Sequence, residues 1–365
     1  MPRIATFDDW IDLFREWRDD IGLDPKLVEQ YHFEAKFGDT YSNEIEFGDM
    51  VGKPKFEKIL DVPDQRIRDG LLNLIVYQGD TEFASVEQQR LLVNTAPSEY
   101  DLHALIRVMC EEMRHGYQMC YLLVQNFGSS GRTEAMKLLE RRAFEQNRLL
   151  GSFNEVVDSW LDFFVYTEFI DRDGKFQLQM LSHSAFAPLA RSMGPMLKEE
   201  SFHLGTGHNG LKRTLRAGKI PIAIIQKYIN KWVPTAYDLF GTDHSSSAEW
   251  NYVWGLKGRF DEADNDHPAD RENLNEYARE LYIRETNGLF DQLNAIIPEG
   301  QPKLKVPSVK FNRSIGTYAR QPYDIDGNKV DADKWEAYQK AAFPTQDDID
   351  TVNRIAREEE WIAMK

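Results

Sequence analysis

Cysteine is nearly missing from this chain: only Cys110 and Cys120 occur in 365 residues. Ten positions apart on a helix, they would sit roughly 15 Å from each other, too far to bridge. A disulfide framework is therefore excluded, which suits a reducing compartment. Also missing is any run of about 20 apolar residues, and the start Met-Pro-Arg-Ile-Ala-Thr-Phe-Asp-Asp-Trp has no apolar signal core. The expectation is a soluble, cytoplasmic protein with no membrane partner. Positive charge is in deficit, 44 basic against 60 acidic residues, for a net charge of −16. That argues against extended nucleic-acid binding and against docking on an anionic lipid surface. A local basic patch for a small anionic ligand is still allowed.

What is present is a core-forming, helix-patterned chain, 42% hydrophobic and 12% aromatic. The helical period predicts four long segments at about 65–93, 99–126, 150–172 and 182–204. Ser98 reads as the N-cap of the second, and Gly128 follows its end. Gly194-Pro195 predicts a kink or break in the fourth. Further helices are expected near 8–20, 133–147, 209–217, 220–238, 269–296 and 345–362. Pro298, Pro302, Pro307 and Pro322 break up 298–330, where Lys303, Lys305, Lys310, Arg313 and Arg320 make a local basic excess. That stretch reads either as a solvated arm or as a contributor to binding a polyanion. The expected layout is a cap over 1–64, a four-helix bundle over 65–240, and C-terminal helices with a wrapping arm over 241–365.

The chemistry-bearing signal is Cys110-Glu111-Glu112-Met113-Arg114-His115. Glu112 and His115 lie one turn apart on one helix face, which they share with Leu102, Leu105, Met109, Met119 and Leu123. A carboxylate and an imidazole on a buried stripe need a partner, and a metal ion satisfies both. A second such pair, Glu200 and His203, follows 88 residues later. Di-metal carboxylate bundles take Glu-x-x-His from each of two helices and one acid from each of the other two. Here Glu82 shares a face with Ile75, Gly79 and Val86, and Asp171 continues the stripe Val157, Trp160, Phe164, Thr167. The resulting set is Glu82, Glu112, His115, Asp171, Glu200 and His203. Carboxylate with imidazole suits iron or manganese, and the acids balance two divalent cations. The expected fold is all-α, a ferritin-like four-helix bundle around a di-metal centre with peripheral helices.

Competing patterns fail on context. An acid three residues before a histidine is expected about once by chance in this composition, and Glu29/His32 and Asp264/His267 are such pairs off any long apolar stripe. Gly205-Thr-Gly207-His-Asn-Gly210 matches a dinucleotide fingerprint literally but follows a helix rather than a strand, and reads as a helix-ending loop. Asp171-Arg-Asp173-Gly174 and Asp324-Ile-Asp326-Gly327 lack the further oxygens of a calcium loop, and Gly174 suggests a helix end. His103, His183 and His208 have no partner spacing and are expected at the surface or beside the site.

Longer stretches resemble one family: the oxygenase component of benzoyl-CoA 2,3-epoxidase, with its relative the phenylacetyl-CoA epoxidase catalytic subunit. They are Gln78–Arg90, Glu111–His115, Asp171–Leu178, Ala187–Arg191 leading to Glu199–His203, and Pro307–Arg313. The resemblance implies that the same six residues hold two iron ions and that Gln78 lies beside them in a catalytic role. It implies O2 as co-substrate, epoxidation of an aromatic acyl-CoA thioester, and electrons from a separate NADPH-dependent iron–sulfur flavoprotein reductase. No tightly bound flavin or nicotinamide is expected in this chain, which would be a monomer or homodimer. Ser201-Phe202 replaces an Ala-His expected within the second pair, which leaves pocket shape and acyl group open. Lys212, Arg213, Arg216, Lys303, Lys305 and Arg313 are the cations considered for the CoA phosphates. Another acyl-CoA or a non-CoA substrate is the first alternative, and a ferritin-like iron-handling protein the second.

Overall fold

The computed structural model describes residues 4–262, 274–358 and 360–363. Among the described residues the regular structure is helical, with only isolated bridges such as Phe56–Phe186 in place of strands. The all-α class expected from the periodicity holds. No described helix is long and apolar enough to cross a membrane. The chain divides into two compact units, one of residues 1–156, 178–199 and 249–271, the other of 157–177, 200–248 and 272–365.

In the first unit, α1 (Phe7–Asp20) starts at a Thr6 capping box, and its Phe7, Trp10, Phe14 and Trp17 form one buried face. Those rings pack on Phe83 and Tyr117, with Trp17 and Phe83 centroids 5.0 Å apart. Helix α2 (Gln65–Gln89) is capped by Asp64, and α3 (Glu99–Asn126) by Ser98, whose side chain accepts from the Asp101 amide as predicted. Helices buried on nearly all sides need close neighbours. Every residue from Val108 to Cys120 is buried. A Cβ on Gly116 would come within 2.6 Å of the Phe83 ring, and one on Gly79 within 3.1 Å of Met119. The pairings 79/119 and 83/116 run in opposite senses, so α2 and α3 are antiparallel and close.

The 133–147 helix is observed earlier, as α4 (Gly128–Glu140). Beyond it the chain is held irregular by two buried acids of α2. Glu87 accepts from the Ala143 amide at 2.6 Å and Asp80 from the Leu149 amide at 2.7 Å, while fully buried Arg148 bridges both carboxylates. The first of these bonds takes a backbone N–H that the expected helix through 147 would use.

Of the kink or break expected at Gly194-Pro195, the break does not occur: α6 runs unbroken from Ala187 to Ala217, with Pro195 inside it. Proline has no N–H for the carbonyl four residues back, which is Arg191 O. The Gly38 amide donates to that oxygen instead, at 2.8 Å, so an irregular segment from another part of the chain repairs the ladder.

In the second unit, α5 (Trp160–Leu181) starts later than predicted and passes through Gly174, which therefore ends nothing. The Gly205–Gly210 word is likewise no loop; it lies inside α6. A Cβ on Gly207 would meet the Glu168 backbone nitrogen at 2.5 Å, and one on Gly210 the Phe164 ring at 2.1 Å. These glycines serve close packing of antiparallel helices, not chain reversal. Around this pair lie α7 (Ile222–Leu239), α9 (Leu274–Asn294), α10 (Ala332–Ala342) and α11 (Gln346–Ile355). Helix α8 (Ser246–Val253), of eight residues, and α10 were not expected from the sequence. Asp264/His267 lies outside the described residues.

Candidate metal centre

Each unit carries the same device. In the first, Glu82 on α2 faces Glu112 and His115 on α3, all three buried. His115 Nδ1 lies 3.3 Å from Glu82 Oε2 and 3.9 Å from Glu112 Oε2. One ligand atom from each of the three falls within 4.8 Å of the others, a spacing one ion can span. Neighbours hold the acids in place. The Gln78 amide, half-buried, donates to Glu82 Oε1 at 2.5 Å, and the Ser85 hydroxyl donates to Glu112 Oε1 at 3.3 Å. Gln89 donates in turn to Ser85 at 2.8 Å.

Burial opposes charge on both sides of the Glu82–His115 pair, but the partners win. The His115 charge and hydrogen bond hold the Glu82 carboxyl below its ordinary range. Glu82 and Glu199 raise the His115 imidazole above its own.

In the second unit, Asp171 on α5 faces Glu200 and His203 on α6, again all buried. His203 Nδ1 lies 3.4 Å from Glu200 Oε2 and 3.9 Å from Asp171 Oδ2. The structure thus brings the predicted residues together as two half-sites of one design: an acid on the first helix of an antiparallel pair and Glu-x-x-His on the second. Hard carboxylate oxygens with imidazole nitrogen are a donor set that fits iron or manganese.

A family model described as phenylacetic acid catabolic protein matches residues 56–262, the stretch that holds both half-sites. The chain belongs to that family. Benzoyl-CoA oxygenase component B of Aromatoleum evansii is 37% identical over 83% of this chain and 73% of that protein. One of the 1,2-phenylacetyl-CoA epoxidase subunits of Escherichia coli K12 is 22% identical over 69% of this chain and 74% of its own length. Family and relatives make the chain an enzyme of the oxygenase class, and its helices with their buried carboxylate–imidazole clusters are those of a ferritin-like fold.

Other predicted residues find different places. Glu29/His32 sits in an irregular stretch with both side chains exposed. His183 is neither at the surface nor at a half-site: it is fully buried, 3.2 Å from Glu46 Oε1, and stacked on Tyr41. Buried Arg213 donates to Ala363 O, and buried Arg313 is paired with Asp238. Lys303 donates to Asn294 O and Ile297 O, and Lys305 pairs with Asp326. The sequence reading missed Glu199, whose carboxylate lies 2.9 Å from His115 Nε2 and pairs with fully buried Arg114. The available signal was Arg114 itself, a cation on a buried helix face that requires an anion.

Proposed function

We propose that these six residues hold two iron ions, and that the chain is the oxygenase component of an enzyme that epoxidises an aromatic acyl-CoA thioester such as benzoyl-CoA. The observation carrying this reading is the buried Glu82–Glu112–His115 cluster, with its counterpart Asp171–Glu200–His203, in a chain 37% identical to a benzoyl-CoA oxygenase component. Two buried carboxylates and an imidazole per unit are costly to keep without a cation. Iron, when bound, supplies the activation of O2, with one atom going to the substrate and the other to water. The electrons come from a separate NADPH-dependent reductase, and no flavin or nicotinamide is needed on this chain.

The protein's own side chains place and insulate. Gln78 fixes the Glu82 carboxylate and is one turn before it, where its amide can face substrate or oxygen. Ser85, backed by Gln89, fixes Glu112. The near-complete burial of α3 around Glu112 keeps water out, which strengthens each electrostatic contact.

The test is a single turnover. Protein loaded with iron and reduced without air is given benzoyl-CoA or free benzoate, then O2. A product one oxygen heavier from the thioester alone is expected. Oxygen consumption without product from either compound overturns benzoyl-CoA as substrate, and failure to bind two metal ions overturns the centre.

A further inference from the structure

Helix α1 carries a column of aromatic rings. Phe7, Trp10, Phe14 and Trp17 recur every three or four residues, so they lie one above another on a single buried face. Successive ring centroids are 5.1, 5.3 and 5.8 Å apart, and successive planes are tilted by only 10, 9 and 14°. One end of the column lies beside the first half-site: Trp17 meets Phe83 at 5.0 Å, and Phe83 follows Glu82 directly. The other end approaches the surface. Phe7 meets Tyr117 at 5.0 Å and Tyr121 at 5.1 Å, edge-on to both, and Tyr121 is half-buried. Trp10 also touches Tyr117, at 5.6 Å.

Packing alone asks only for large apolar rings. Four of these positions hold indole or phenol instead, the aromatic side chains that give up an electron most readily. The indoles keep their hydrogen bonds, Trp17 Nε1 to Glu87 Oε1 at 3.2 Å and Trp10 Nε1 to Ala135 O at 3.0 Å, so each can pass an electron without losing its proton to solvent. A phenol near the surface does lose its proton on oxidation, and there the charge stops.

We propose that this column carries electrons inward to the centre when O2 is reduced there with no organic substrate bound. The inference rests on the iron and O2 reading above. Reduction of O2 to two waters takes four electrons and four protons, of which two ferrous ions supply two electrons. In productive turnover the substrate supplies the other two as it gains an oxygen atom. Without substrate they come from Tyr117 and Tyr121, each losing one electron and its O–H proton, and the remaining two protons come from water. Trp17 and Trp10 are oxidised and reduced again in passing. A small thiol in solution restores each tyrosine by returning one electron and one proton. Oxidation is thus drawn away from the buried methionines of α3, Met109, Met113 and Met119.

The experiment uses the full chain loaded with iron, reduced without air and given O2 but no thioester and no thiol. Peptide mass spectrometry, rather than activity, is the readout. Tyr117 and Tyr121 are expected to become cross-linked or one oxygen heavier, and to stay unmarked in zinc-loaded protein. The double variant Trp10→Phe, Trp17→Phe keeps a ring at each place. It is expected to lose most of the tyrosine marks and to gain sulfoxide at Met109, Met113 and Met119, with an unchanged helical circular dichroism spectrum. Should it lose that spectrum, Tyr121→Phe at its half-buried site gives the second reading, with the marks then gathering on Tyr117 and Trp10. Equal marks in zinc-loaded protein, or an unaltered pattern in either folded variant, overturns the proposal. So does O2 consumption that leaves both tyrosines unmarked in the unaltered chain. Failure of the iron-loaded chain to consume O2 overturns the reading beneath it as well, and this is seen before any variant is made.

Discussion

Replacing Gly207 by alanine probes a backbone-to-backbone contact between α5 and α6. The added Cβ would lie 2.5 Å from Glu168 N, 2.9 Å from Glu168 Cα and 2.9 Å from Phe164 O, all backbone atoms of α5. Ordinary contact begins at about 3.5 Å, so α5 must move by about 1 Å or the site must strain. No side chain can swing aside to relieve it. Overpacking of this kind costs about 1–3 kcal/mol, and a backbone obstacle points to the upper end. Alanine in a helix gains about 1 kcal/mol over glycine, which leaves a net loss of about 2 kcal/mol. Gly205, two residues away on the same helix, is the internal control, since a Cβ there meets nothing within 4 Å. Gly205→Ala is therefore expected to stabilise by about 1 kcal/mol. Urea unfolding followed by circular dichroism should separate the two variants by about 3 kcal/mol, in opposite directions from the parent and at constant slope. A Gly207→Ala protein as stable as Gly205→Ala would refute the reasoning that these glycines exist for close packing.

Three further outcomes are expected. Arg148→Met leaves the buried carboxylates of Asp80 and Glu87 without their shared cation, and a loss of about 3–5 kcal/mol should appear in thermal unfolding. Burial pushes the Asp162 carboxyl up to about 6 in the folded chain, against the pull of Lys231. A folded value above the ordinary one means the group favours folding at low pH, and that contribution is lost as pH rises from about 4 through about 6. Asp162→Asn should thus flatten the stability profile across that window, measured by urea unfolding at stepped pH. Removing metal with a chelator should lower the unfolding temperature, by the equivalent of about 2.7 kcal/mol when free metal had stood at 100 times its dissociation constant. Restoring iron should recover it, and a chelator without effect would count against the centre.

The half-sites were legible in the sequence because their signal is local. Three-residue spacing on an apolar stripe put Glu112 with His115 and Glu200 with His203, and the single acids Glu82 and Asp171 followed from the faces of their own helices. What was misread had its cause elsewhere in the chain. A break was one of the two outcomes expected at Pro195 because the donor that rescues Arg191 O is Gly38, more than 150 residues away. The 141–147 stretch looked helical because a competitor for its backbone, Glu87, lies on another helix. Glu199 was missed for a related reason: its partners Arg114 and Lys36 lie on other elements, and no spacing along α6 announces them.

The glycines join these two lessons into one physical requirement. A carboxylate on one helix can come within 3–4 Å of an imidazole on its neighbour only if the two backbones run close, since Asp, Glu and His side chains are short. Close axes demand residues without Cβ at the interface. Gly116 follows His115 directly and lies against Phe83, the residue after Glu82. Gly207 comes one turn after His203 and lies against Glu168, one turn before Asp171. The glycine beside each histidine is therefore part of how each half-site is built. This is why Gly205-Thr-Gly207-His-Asn-Gly210 could imitate a phosphate-binding loop while meaning something else: in both settings glycine lets a backbone be approached, and here what approaches is a helix. Gly116→Ala should accordingly weaken metal binding as well as folding, because pushing Phe83 away moves Glu82 with it.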